Sequence, residues 1–247
     1  MTITIIRFVF LAALCVVWEY VSINEIINPI FIGRPSQIAI YLFDGLFVNY
    51  ELIVHAYWTL AATAAAFTLG SVFGILFGFL FVTYPSVEKL LEPIFDGLNA
   101  LPRIALAPLF LLWFGLGLSS KIALGFSLTF FIVLSSTVAG ARGVNTDFLI
   151  LARTIGTSPM TVFRKITLPS AVPSIFSGLR LGLIYALLGV IAGEIIAAEK
   201  GLGQLLSYLA GSFKTNGVFA VLILLGVMGS LLTYCASRIE AHLLRWR

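Results

Sequence analysis

The sequence predicts an all-α, polytopic membrane protein: a single transmembrane domain over residues 1–247 with about six spanning helices. Two observations carry this. The chain is 60% hydrophobic and only 11% charged, with a mean hydropathy of +1.07, whereas soluble domains carry about 25% charged residues. Its apolar residues also come in long runs without alternation. A bilayer offers the backbone no water, so only helices or closed barrels cross it. Unalternating runs of about 20 residues select helices.

Six spans follow, near residues 4–23, 57–82, 101–118, 121–140, 174–193 and 218–238. Arg7 before the first run resembles the basic start of a signal peptide. Trp18 and Glu19 interrupt that run late and no small-x-small cleavage site follows, so a retained span is expected. Ser119, Ser120 and Lys121 form a short hairpin between the third and fourth spans. In the connection 24–56, Arg34-Pro35-Ser36 opens a short interfacial helix ending near Asp44. In the connection 83–100, Pro85 and Ser86 open a second one, with Glu88, Lys89, Glu92 and Asp96 at helical spacing. Residues 194–217 are marked by Gly201, Gly203, Gly211 and Gly217.

Charge sets the orientation. With an inside N-terminus, the cytosolic side holds Arg7, Lys89, Arg103, Arg142, Arg153, Arg164, Lys165, Arg180, Arg238, Arg245 and Arg247. The outer side holds Arg34, Lys121, Lys200 and Lys214, so eleven of the fifteen basic residues lie inside. The positive-inside rule then places both termini in the cytosol.

Several functions are disfavoured. The +4 net charge is spread between spans, which speaks for topology and against nucleic acid. Cys15 and Cys235 stand alone in apolar spans, and His55 and His242 are isolated, so no metal site is assigned. A membrane enzyme wants a cluster of reactive side chains at one face; no catalytic residue is assigned. An ion-gradient-driven secondary carrier wants embedded acids. The spans hold almost none away from their ends, and the carrier stays as the alternative.

Two glycine stripes predict close helix packing: Gly70, Gly74 and Gly78 in the second span, and Gly178, Gly182 and Ala186 in the fifth. Packing within the chain, a subunit interface and a pathway all remain open for them.

The cytosolic connection 141–173 is the most informative segment. Thr146 or Asp147 caps a helix that runs from Phe148 to Ile155. Gly156 ends it in a left-handed conformation. Ser158 caps a second helix with Pro159 at its first position, and that helix stops ahead of Pro169. The hairpin carries apolar Ile155, Met160, Val162 and Phe163 beside basic Arg153, Arg164 and Lys165. Such a surface lies on the bilayer, folds back on the bundle, or docks into a partner.

The segment resembles the EAA coupling loop of ABC importer permeases, whose pattern is Glu-Ala-Ala, three residues, Gly, nine residues, Ile-x-Leu-Pro. Ala152, Gly156, Ile166, Leu168 and Pro169 are in register, while Ile150 and Leu151 replace the Glu-Ala pair. Ala100-Leu101-Pro102-Arg103-Ile104-Ala105-Leu106-Ala107-Pro108-Leu109 and Leu112-Trp113-Phe114-Gly115-Leu116-Gly117 look like the third-span signature of the nitrate, sulfonate and taurine permeases. Gly193-Glu194 and Gly201-Leu202-Gly203 also fit that family.

The resemblance implies a type I permease of a bacterial inner membrane, working as one of two copies and importing a small anion such as a sulfonate, taurine or nitrate. It implies that Ala152, Arg153, Ile155, Gly156, Thr157, Ser158, Met160, Phe163 and Arg164 dock a cytosolic ATPase dimer. ATP and Mg would bind on that partner, with no cofactor on this chain. An extracytoplasmic binding protein would deliver the solute. Glu194, with Glu199 one turn further, is the candidate gate or substrate residue.

Overall fold

The computed structural model describes residues 2–245; Arg247, counted in the charge tally, lies outside them. Within these all regular secondary structure is helical, with no strand. In order, the helices are α1 (Thr2–Ile23), α2 (Pro29–Ile32), α3 (Pro35–Phe43), α4 (Glu51–Thr83), α5 (Pro85–Ala100), α6 (Ala107–Phe114), α7 (Leu118–Arg142), α8 (Thr146–Thr154), α9 (Pro159–Val162), α10 (Leu168–Ile196), α11 (Leu202–Gly211) and α12 (Thr215–Leu243). Proline opens α2, α3, α5 and α9, where its missing N–H costs no helical bond. Helices form at both expected positions, as α3 and α5.

Among the described residues, four helical segments are long and apolar enough to cross a bilayer: α4, α7, α12 and the continuous run Pro159–Ile196. A bent pair would make five, so the expected count of six is not confirmed. The first expected span does form as the helix α1. The third, at 101–118, does not form one helix. A 3-10 turn at Arg103–Leu106 leads into the eight-residue α6, and this segment meets α5 at 88°. The run is apolar, but Pro102 and Pro108 interrupt its backbone ladder and Gly115 (φ 75°) ends it. The expected hairpin at Ser119–Lys121 is corrected too: the turn is at Gly115–Gly117, and Ser119 to Lys121 form the first turn of α7.

α7 is the spine of the bundle, with α4 and α10 packed along it. A Cβ on Gly70 would come within 2.6 Å of Thr129, and one on Gly178 within 2.4 Å of Ser136. Gly74 and Gly182 both face Val133. Both glycine stripes are therefore used inside the chain, on one shared partner. The Thr129 hydroxyl ties α7 to α10 by donating to the Gly182 carbonyl at 3.1 Å.

At the end of the bundle that the charge count assigns to the outside, α1 grips α2 and α3. Trp18 Nε1 donates to the Ile32 carbonyl at 3.2 Å, and Glu19 accepts from the Ser36 backbone N–H (3.0 Å) and hydroxyl (2.7 Å). The Arg34 backbone N–H donates to Asn216 Oδ1 at the start of α12. Beside this assembly, Tyr41 donates to Glu51 at 3.4 Å. Burial and that carboxylate push the Tyr41 phenol up to about 12, so it stays a neutral donor.

Candidate functional site

The hairpin lies at the opposite end of the bundle, the one that the charge count assigns to the inside. Asn145, one residue ahead of the expected cap, opens α8 by accepting from the Asp147 N–H at 2.8 Å. Gly156 sits at φ +72°, which glycine adopts at little cost. Ser158 accepts from the Thr161 N–H at 3.4 Å and Pro159 opens α9. The side chains then divide. Ile155 and Met160 stand 70% and 63% exposed, and Arg153, Thr154, Ser158 and Arg164 are exposed with them, while Thr157 is half-buried. Ala152 is buried, and the Phe163 ring packs edge-on against Phe79 of α4 at 5.2 Å. Of the expected docking residues, Phe163 holds the hairpin on the bundle and Ala152 is covered, so neither faces outward.

The second arm does not stop before Pro169. α9 passes through a π turn at Phe163–Thr167 directly into α10, giving one helical run of 38 residues, Pro159–Ile196. The Leu168 N–H reaches back to the Phe163 carbonyl. This wider turn accommodates a proline ring that would clash with an α-helical carbonyl. The hairpin turn and the fifth span are thus two ends of one rod, about 57 Å long at 1.5 Å per residue.

The outer end of that rod carries Glu194, 1% exposed. Its carboxylate accepts from the Thr59 hydroxyl (2.9 and 3.1 Å) and from the Gly203 N–H (2.9 Å). The Lys121 ammonium, also buried, stands 3.6 Å away and donates to the Lys200 carbonyl. Thr59 accepts in turn from the Leu202 N–H at 2.8 Å. His55 Nδ1 lies 3.1 Å from the Gly201 nitrogen and 2.9 Å from its oxygen. Helices α4, α7 and α10 thereby pin the start of α11 from three sides. A carboxylate so enclosed touches no solute in this conformation; it fixes the outer ends of three helices to one another.

Glu194 and the docking residues, both expected from sequence, sit at opposite ends of the rod. Sequence reasoning missed Thr59, Lys121 and His55 as its neighbours. The one available signal was a cluster of polar residues at helix ends that hydropathy assigns to the outer side.

The family model for the inner membrane component of binding-protein-dependent transport systems matches residues 70–246, covering the spine, the hairpin, the rod and, of the node around Glu194, all but His55 and Thr59. The chain belongs to this family. The permease is 34% identical over 241 residues to the formylaminopyrimidine transport permease protein of Halalkalibacterium halodurans, covering 96% of this chain and 94% of the relative. It is 31% identical to a putative aliphatic sulfonates transport permease protein of Bacillus subtilis, covering 96% and 85%. It is 30% identical to the taurine transport system permease protein of Escherichia coli, covering 96% and 87%. Its fold matches the MetNI methionine ABC transporter in an inward-facing conformation with a TM-score of 0.67 at 25% identity, over 78% of this chain and 96% of that one. The permease is an ABC importer subunit of the inner membrane and not a catalytic enzyme, and its family implies an ATPase partner and a substrate-binding protein. The ion-gradient-driven carrier left open by the sequence is not favoured.

Proposed function

We propose that this permease forms the membrane pathway of an ATP-driven importer for a small anion such as a sulfonate, taurine or nitrate. The observation that carries the reading is the uncovered apolar turn around Ile155 and Met160, placed at the start of a helical run that reaches the outer node. A cytosolic ATPase dimer takes this turn, within the segment 150–169, into a groove. Ile155 and Met160 supply apolar contact, and Arg153 and Arg164 meet acidic residues at the rim. ATP and Mg bind on that partner. A second copy of the permease completes the pathway, an extracytoplasmic binding protein delivers the solute, and both termini face the cytosol. Relatives named for sulfonates and taurine support the solute class.

The geometry suits a lever. Closure of the ATPase pair moves the turn, and the rod carries the movement past α7. The buried node keeps the outer ends of α4, α7 and α10 together, so the inner ends travel further and the pathway changes the side to which it opens.

Gly156→Pro tests the docking. Proline holds φ near −65°, far from the +72° of this turn. The variant is expected to insert normally, to lose co-purification of the ATPase, and to lose transport-coupled ATP hydrolysis. Full coupled activity would sink the docking assignment. Uptake that persists after ATP depletion would restore the carrier.

A further inference from the structure

Arg103, counted above with the cytosolic charges, reaches the middle of α7. Its guanidinium carbon is 4.4 Å from the centroid of the Phe131 ring. Phe131 stands well inside α7, whose inner end is Arg142, about 16 Å further along at 1.5 Å per residue. A cation near the middle of a spanning helix is costly and marks a functional position.

Its surroundings do not neutralise it. A terminal nitrogen donates to Asn99 Oδ1, a neutral acceptor. Nε is buried and has no hydrogen-bond partner among the described residues. None of the salt bridges among the described residues involves Arg103. The side chain borders a cavity of about 430 Å³ whose other walls are apolar except for Ser127, with Phe73, Phe77, Phe110, Trp113 and Phe126 among them. The adjoining cleft shares Phe95 and Phe131 and carries Glu88, Glu92, Asp96 and Arg142. Glu88 is paired with Arg142, which leaves that cleft acidic.

We infer that this cavity is a solute station inside the membrane and that it takes a small organic anion, with the acid group on Arg103 and an apolar or aromatic body against the rings. A planar guanidinium suits a sulfonate or carboxylate, and the terminal nitrogens carry N–H groups beyond the one given to Asn99. An inorganic oxyanion would lose its water on every side and gain one cation. An anion with an apolar body also buries that body against the aromatic walls. The carboxylates of the neighbouring cleft repel an anion, which confines the station to Arg103. The inference rests on the importer reading above, because it makes the cavity part of that pathway. An acidic phospholipid offers the same chemistry, an anionic head on an apolar body, and the test separates the two sources.

The full chain in phosphatidylcholine nanodiscs is titrated with benzenesulfonate and with sulfate. Saturable benzenesulfonate binding is expected, with sulfate at least about tenfold weaker. Arg103→Gln is expected to weaken benzenesulfonate binding by about tenfold or more, since a charge-assisted hydrogen bond is lost. Arg103→Lys falls between, keeping the charge without the planar fork. Both variants should still bring down the ATPase from membranes, which shows that they fold. Adding phosphatidylglycerol should leave the sulfonate affinity unchanged. Wild-type affinity in Arg103→Gln, equal binding of sulfate, or no benzenesulfonate binding at all would overturn the inference. So would a tenfold loss of sulfonate affinity on adding phosphatidylglycerol, which assigns the site to lipid. If the wild type brings down no ATPase, the importer reading fails while the binding titration stays readable.

Discussion

The two ends of the Pro159–Ile196 rod are built in opposite ways. At the inner end, the hairpin leaves large apolar side chains uncovered and few polar contacts hold it. At the outer end, every oxygen of Glu194 has a partner and the surrounding backbone is packed to contact. Each end turns at a glycine with positive φ, Gly156 at +72° and Gly201 at +125°. The surroundings of the two differ completely. A Cβ on Gly156 would meet nothing within 4 Å among the described residues, while one on Gly201 would lie 2.0 Å from Glu194 Oε1. One conformational device thus serves two purposes: it presents a surface to a separate subunit at one end, and it lets backbone close over a carboxylate at the other. An end that must engage and release a partner leaves apolar area free. An end that must stay fixed satisfies its polar groups internally.

The largest effect that can test this contrast is Glu194→Ala. It strands the buried Lys121 ammonium and leaves the Gly203 N–H without its acceptor. Removing one partner of a buried pair costs about 3–5 kcal/mol. The expected outcome is a steep loss of thermal midpoint in detergent. Adding Lys121→Met to that background should recover part of it, because the stranded cation is then gone. A fully stable Glu194→Ala protein would mean that water reaches the node and that the three helices are not pinned there.

The glycines come next, compared directly. Gly201→Ala is sterically blocked by Glu194 and strained in φ, and is expected to cost about 3 kcal/mol or more. Gly156→Ala meets only the φ penalty, about 1 kcal/mol. Denaturant midpoints in micelles measure both. Equal losses at the two positions would erase the distinction between an open end and a closed one.

Much of the inner end was legible in sequence, because caps and turns are local. Asn145, Gly156, Ser158 and Pro159 act on residues within a few positions, so their residue types announce the hairpin. The continuation past Pro169 was not legible. A π turn is a change of hydrogen-bond register, and Phe163 to Thr167 carry no residue type that specifies it. The outer node was legible only as isolated charges. Lys121 reads as a loop residue by hydropathy, and nothing local links it to Glu194, far along the chain on another helix. Arg103 was legible only as a charge for the same reason: its contact with Phe131 depends on where the α5–α6 bend sets the side chain, which is a tertiary fact. The third span failed because its apolar length was read without weighing Pro102, Pro108 and Gly115 as breakers.

The smallest effect on stability is expected at the docking surface itself. Ile155 and Met160 are exposed in the isolated chain, and replacing exposed residues usually changes stability by no more than about 0.5 kcal/mol. Ile155→Ser and Met160→Ser should therefore leave the thermal midpoint nearly unchanged. They should still weaken ATPase association, by about tenfold each if each side chain fills a pocket on the partner. Phe163→Ala makes the control. It removes the contact with Phe79, so it should lower stability before it touches binding. A set in which Ile155→Ser and Met160→Ser destabilise the chain as much as Phe163→Ala would place those side chains against the bundle or the lipid. Loss of ATPase affinity without loss of stability is the signature that separates a surface kept open for a partner from one already covered.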